Sequence, residues 1–348
     1  MEANRPRVAY LDYVRAAALL CVILMHTDMD HLVPATGIGV ALHQAVVVLL
    51  RIAIPCFFMA SGALLLDREE SFEKLLRHRV LRFVIVILLI QAVQYLYMFR
   101  SAPWKVYLQY YLQIVYSDQF AAHIWYLYSY LAFLLMLPLL RKLAAGMDEK
   151  HFRYAFVVYF VYMAAASFGD VVWGGAFVLN PEFSVSFFLA QNAVIYPLLG
   201  YYLHNRVKVG EGENARGAAL LSWLGLLALA ASVGMRILSK HVTGSWQFDP
   251  YSYIALPSAA FFLGTRRLCE KHVPGQKLGA LFGFVSRMSF GTYLLHNIYL
   301  DLFQGFKDAA AAVTGGFLAC LLHGIAALIL GTAVSFVLKQ IPGLKKLI

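Results

Sequence analysis

Three residues in the first apolar stretch, Asp12, Arg15 and His26 of LDYVRAAALLCVILMH, stand where a plain membrane anchor carries no ionisable group. Arg15 and His26 are eleven positions apart, so on a helix they differ by roughly 20° around the axis and about 16 Å along it. One helix face presents both, and Asp12, one turn before Arg15, is placed to pair with it. A charge at the bilayer centre costs roughly 2.5–3.5 kcal/mol on insertion scales, so a helix face that keeps its charges there reads as the wall of a site. Arginines recur in the next two apolar segments: Arg51 near a midpoint, then Arg79 and Arg82 one turn apart in RHRVLRF. A planar, multi-donor guanidinium suits phosphate. Arg15, Arg51, Arg82, Arg236 and Arg287 lie in or beside apolar segments against one embedded carboxylate, Asp12. Such an excess of buried cations calls for an anion, and a polyphosphate supplies several charges. Imidazoles form the second group: His26, His123 in HIWYLYSY, and His296 in VSRMSFGTYLLHNIYL, where Ser289, Tyr293 and His296 make one polar stripe on an apolar helix.

The elements that position these groups are membrane helices. The chain has 348 residues, 61% hydrophobic and 14% charged, with a mean hydropathy of +0.67; soluble domains sit nearer 45–50% apolar and about 25% charged, which excludes a soluble fold. Ten segments are expected to cross: about 8–27, 40–66, 80–99, 124–140, 154–169, 184–203, 217–238, 251–265, 284–302 and 315–338. An even number puts both termini on one side, and the loops on that side hold 20 lysines and arginines, Arg5 and Arg7 among them, against 4 (Arg100, Lys105, Lys240, Lys307) opposite. Both termini are therefore expected in the cytoplasm, with Arg15 towards the cytosol and His26 near the outer face. The net charge of +10 is then a topology signal rather than a nucleic-acid footprint. Asp12 and Arg15 interrupt the first run and no small-residue cleavage site follows it, so it is expected to stay as a helix. Pro55 cannot donate to the Arg51 carbonyl, so a kink is expected there; Ser61 and Gly62 admit a close helix neighbour. Trp104, Tyr107, Tyr110, Tyr111 and Tyr116 read as a headgroup-level belt, and Trp246 with Asp249 marks an outer loop. His323 reads as a packing or interhelical hydrogen-bonding residue. The four scattered cysteines suggest neither disulfides nor a zinc site, and no metal is expected. The expected fold is an all-α integral membrane bundle of about ten transmembrane helices, one domain over 1–348 with no separate soluble domain.

Five blocks in order, LDYVRAAALLCVILMH, IPCFFMASGALLL, RHRVLRF, HIWYLY with the apolar run to Pro138, and SRMSFGTYLLH, resemble the acyltransferase family 3 integral membrane proteins, which modify bacterial surface glycans. The resemblance implies an O-acyltransferase in the bacterial plasma membrane. It would take an acyl group, commonly acetyl, from cytoplasmic acyl-coenzyme A and deliver it to a hydroxyl of a carbohydrate or lipid-linked glycan at or beyond the outer face. It carries over His26 as catalytic histidine, Arg15 as its motif partner, and Arg51 and Arg82 as pore residues. RHRVLR departs from a neat arginine pair, which leaves Arg79 less firmly placed than Arg82. On this reading His26 takes the proton of the attacking hydroxyl, or it or a serine carries the acyl group covalently. Asp28 is expected to orient His26, and Tyr293 or Arg51 to hold the developing oxyanion. Arg15, Arg51, Arg79, Arg82 and Ser61 form the expected donor side, and His123, Trp125, Tyr293 and His296 the acceptor side, joined by one hydrophilic passage. A transporter or exporter of a small polar or anionic solute or glycan intermediate is the competing class, and a passive scaffold in a glycan-assembly complex a further one; neither consumes acyl-coenzyme A.

Overall fold

The computed structural model describes residues 7–29, 38–98, 104–117, 122–172, 191–209, 213–244, 246, 253–272 and 275–348. Arg5, Arg100, Asp249 and the first part of the expected segment 184–203 lie outside the described residues. Helices account for nearly all of what is described, and no strand forms among these residues.

Helix α1 (Ala9–Met25) is the post around which the others gather. Leu11, Val14, Ala18, Leu19, Val22 and Ile23 are almost fully buried, and α1 touches α2 (Ile38–Leu50), α3 (Ala53–Leu65), α10 (Ala255–Lys271), α11 (Gln276–Leu302) and α13 (Gly316–Leu338). Three consecutive alanines after Arg15 let these neighbours approach closely. Between them run α4 (Phe72–Met98), α5 (Trp104–Ser117), α6 (Trp125–Gly146), α7 (Glu149–Val172), α8 (Asn192–Asn205), α9 (Glu213–Thr243) and α12 (Gln304–Thr314).

The kink expected near Arg51 is a break between α2 and α3. The amides of Arg51 and Ile52 reach back only three residues, to the carbonyls of Val48 and Leu49 at 3.1 and 3.2 Å. Pro55 has no N–H to return to the Arg51 carbonyl, so the helix restarts rather than continues. Just beyond, α3 crosses α8 with backbone against backbone: a Cβ on Gly62 would run into Pro197, and one on Gly200 into Met59. The packing role expected of Gly62 is therefore filled by this crossing. Arg266 closes the far end of α8, donating to the carbonyls of Leu203, His204 and Val207 at 2.7, 2.9 and 3.0 Å, groups that the end of a helix leaves without intrahelical donors.

Among the described residues six helices are long and apolar enough to cross a membrane: Ile38–Leu65, Phe72–Met98, Trp125–Gly146, Arg216–Thr243, Gln276–Leu302 and Gly316–Leu338. Of the other expected spans, α1 and α10 have 17 residues each and α8 has 14, short of the roughly 20 that a 30 Å hydrocarbon layer asks of an upright helix. Large apolar side chains such as Leu88, Leu89 and Leu96 on α4 and Leu226 and Leu227 on α9 point outward, as they do against lipid. The molecule is an all-α, multi-pass membrane protein. Its four cysteines are free.

Candidate functional site

A cavity of about 700 Å³ opens between α1, α3, α4, α6 and α11. Its mouth carries Lys74, Arg79, Arg82, Arg287 and Lys339, and Arg15 lies within it. Six Lys or Arg side chains thus face one side-chain carboxylate, that of Glu70. The RHRVLRF block reaches the cavity through a π-helical turn, Leu76–Val80, a wide turn that recurs at functional sites. Along α4 the turn leaves Lys74, His78, Arg79 and Arg82 all on the cavity side. Flat apolar walls complete it: Phe83 stacks on Tyr130 at 4.8 Å between ring centroids and lies 5.5 Å from Phe290.

The cations are not equivalent. Glu70, with a side chain 3% exposed, accepts from Arg79 Nε on both oxygens at 2.9 and 3.1 Å and from Arg141 Nη2 at 3.2 Å. Arg141 Nε in turn donates to the Leu65 carbonyl at the end of α3 (2.9 Å). This triad ties the loop after α3 to α4 and α6. Burial opposes ionisation of Glu70, but the hydrogen bonds and charges of Arg79 and Arg141 outweigh it and hold the carboxyl below the usual carboxylate range. Arg82 Nε donates to the Leu347 carbonyl (3.1 Å), and Lys339 Nζ to the Arg287 carbonyl (2.6 Å). The pairing of Asp12 with Arg15 expected from their spacing is replaced: Asp12 Oδ2 takes Arg7 Nε at 2.5 Å, because the chain before α1 brings Arg7 back to Asp12 and to the Gly283 carbonyl (2.7 Å). Arg15 is left lining the cavity with no ion pair among the described residues. Ser61 also lines it, with its hydroxyl donating to the Phe57 carbonyl at 2.9 Å.

The cavity ends inward at Tyr126 and Tyr293, whose rings meet edge to face at 5.5 Å. Behind Tyr293 three imidazoles gather. His26 and His296 lie 4.9 Å apart between ring centroids, His123 and His296 4.6 Å, and His26 and His123 6.2 Å. Tyr293 belongs to both regions, 5.7 Å from the His123 ring and 5.6 Å from that of His296. The expected continuous passage is thus closed by one aromatic layer, because Tyr126 and Tyr293 fill the interior there.

Hydrogen bonds fix how the imidazoles are oriented. Carbonyls only accept, so His26 Nδ1 donates to Val22 O (2.8 Å) and His296 Nδ1 to Tyr293 O (2.6 Å). The Nε2 of His296 then accepts from His26 Nδ1, at a long 3.4 Å. On His123, Nε2 donates to Leu294 O (3.4 Å) and Nδ1 accepts from Asn297 Nδ2 (2.7 Å); its carbonyl takes the Tyr293 hydroxyl. His123 and His296 thus each keep one donating and one accepting ring nitrogen. Of the cluster's ring nitrogens, His26 Nε2 alone has no hydrogen-bond partner among the described residues.

Other expected site residues sit elsewhere. Asp28, in the left-handed region at φ 61°, turns its carboxylate to Lys307 Nζ (2.7 Å), and the orienting of His26 falls to the Val22 carbonyl. Arg51 lies at the α2–α3 break outside the cavity, within electrostatic reach of His26. Trp125 is half-buried beside Tyr126, with 6.4 Å between ring centroids, and lines no part of the cavity. His323 donates to the Leu300 carbonyl at 2.8 Å, the interhelical bond expected of it. Sequence reasoning passed over Lys74, His78, Glu70 and Lys339; the first two fall on one stripe with Arg82, a signal that was legible as a helical basic face. Asn297 was also missed, one position after His296 and visible only once His123 is folded against it.

Fold and site together define a multi-pass helical membrane protein that holds a cation-rich cavity against a cluster of three imidazoles. The chain belongs to acyltransferase family 3: the family model described as an acyltransferase domain matches residues 8–340, nearly the whole length. It is a membrane acyltransferase. No curated protein and no solved structure matches it.

Proposed function

We propose that the protein transfers an acyl group, acetyl by family precedent, from acyl-coenzyme A to a hydroxyl of a cell-surface or lipid-linked carbohydrate, as a single transmembrane domain of the bacterial plasma membrane. The observation that carries this reading is Arg15: a guanidinium without an ion pair among the described residues, in a cavity of six cations and one side-chain carboxylate that stops one aromatic ring short of His26 and its partners. The donor's phosphates fit the basic mouth. Along α11 the cavity runs from Ser286 to Tyr293, about 10 Å at 1.5 Å per residue, and His296 is one turn further. With the loop-charge asymmetry placing both termini in the cytoplasm over about ten spans, the basic mouth faces the cytosolic donor and the imidazoles face an acceptor arriving from outside.

In the transfer, His26 Nε2 accepts the proton of the carbohydrate hydroxyl as its oxygen attacks the thioester carbonyl. The tetrahedral intermediate collapses by breaking the carbon–sulfur bond, and the coenzyme A thiolate leaves and takes the proton back from His26. The products are the O-acyl carbohydrate and free thiol. His26 stands at the C-terminal end of α1, where helix carbonyls stabilise the positive charge that forms transiently on the imidazole. Movement of Tyr293 and Tyr126 joins the two compartments during turnover. The reading is tested with purified protein in lipid nanodiscs: acyl-coenzyme A should release free thiol in step with O-acylation of added host glycan. Solute movement without thiol release would assign the protein to transport instead.

A further inference from the structure

A second cavity, of about 610 Å³, lies away from the first, between α7, α8, α9 and α10. It is a slot running along α8 from Ile195 to Arg206, eleven positions or roughly 16 Å. That is about the depth of one leaflet of a 30 Å hydrocarbon layer. Its walls are Phe156, Ile195, Leu199, Leu221, Leu256 and Leu263. The two hydroxyls deep within it, those of Tyr159 and Tyr196, bond each other at 3.0 Å. The interior therefore asks for no polar partner and suits an alkyl chain better than a sugar or a peptide.

The open end is basic. Glu149 is occupied there by Arg153 (3.0 Å) and by the Tyr202 hydroxyl (2.5 Å). Arg206 and Lys208 are exposed on the rim and make no ion pair or side-chain hydrogen bond among the described residues. Tyr10 of α1 bonds His204 at this same end of α8 (2.7 Å), so the rim lies level with the start of α1. We propose that the slot binds one anionic phospholipid of the surrounding bilayer, an acyl chain along α8 and the phosphate between Arg206 and Lys208. Basic residues at headgroup depth over an apolar interhelical slot are the chemistry that recognises such lipids. The inference is independent of the acyl-transfer reading, since neither cavity borrows a residue from the other.

The test is native mass spectrometry of the full-length protein titrated with phosphatidylglycerol and with phosphatidylcholine of identical chains. One phosphatidylglycerol is expected to remain bound at collision energies that strip phosphatidylcholine. Arg206→Gln with Lys208→Gln should weaken its retention roughly thirtyfold, the effect of two interfacial cations. Lys345→Gln with Lys346→Gln removes the same charge elsewhere and should leave retention unchanged. Ala218→Phe, which narrows the slot from the α9 side, should release the lipid with helical content intact. Equal retention of the two lipids by the unaltered protein, equal losses in both double variants, or undiminished binding in a folded Ala218→Phe protein would each overturn the proposal.

Discussion

Replacing Arg15 by glutamine removes a half-buried cavity guanidinium that, among the described residues, no carboxylate neutralises and no carbonyl engages. Of the other cavity cations, Arg79 donates to Glu70, Arg82 to the Leu347 carbonyl and Lys339 to the Arg287 carbonyl, while Arg287 itself is exposed at the mouth. A charge-assisted hydrogen bond to a phosphate is worth about 1.5–3 kcal/mol, and 1.4 kcal/mol is tenfold in an equilibrium constant. Arg15→Gln should therefore weaken equilibrium binding of acyl-coenzyme A roughly 10- to 100-fold, with little change in thermal stability because no intramolecular ion pair is lost. Arg15→Lys keeps the charge but loses the planar fork, and should fall between the two. Binding measured by calorimetry on nanodisc-embedded protein at two ionic strengths reads this directly, and the wild-type advantage should shrink at high salt. Donor affinity within twofold of wild type in a folded Arg15→Gln protein would refute the assignment of the basic cavity to the donor.

Further expectations follow from the same contacts. His26→Ala should lower acyl transfer by about 10²–10⁴-fold, the usual contribution of a positioned general base, while donor binding in the separate basic cavity changes little; transfer and binding assays on the same preparation check this. Gly200→Ala drives a methyl into the Met59 backbone at the α3–α8 crossing, and should lower stability by at least the 1–3 kcal/mol typical of overpacking, read as a drop in unfolding temperature. The Glu70 carboxyl is held below its ordinary range by Arg79 and Arg141. Its contribution is then complete above the unfolded carboxylate value of about 4.3 and is lost as pH falls through the lower folded value. Wild type should lose stability in that acid window more steeply than Glu70→Gln, which lacks the group throughout.

The sequence exposed the chemistry better than its wiring. The eleven-residue spacing of Arg15 and His26 places both on one face of α1 whatever surrounds it, and the break at Arg51 follows from Pro55 alone. The polar stripe of Ser289, Tyr293 and His296 also fell where periodicity put it, with two members on the cavity and the third among the imidazoles. Partner choice was another matter. Asp12 is one turn from Arg15, yet Arg7 outcompetes it because the strand of chain before α1 folds back against Gly283, a contact 276 positions distant. Asp28 is two residues from His26, but a left-handed backbone at that position turns it towards Lys307 on α12. Both depend on tertiary placement, which local spacing does not encode. The number of spans was blurred for a similar reason: α1 is buried by its neighbours, so it tolerates a length and a polarity that a lipid-facing helix would not.

The measurement that bears most directly on the account is thiol release by the purified protein given acyl-coenzyme A, with and without carbohydrate acceptor, compared between wild type and His26→Ala. Acceptor-dependent release in wild type that collapses in His26→Ala, with donor binding retained, is the predicted result. Release that proceeds equally in both proteins, or transport of solute with the thioester untouched, would contradict it.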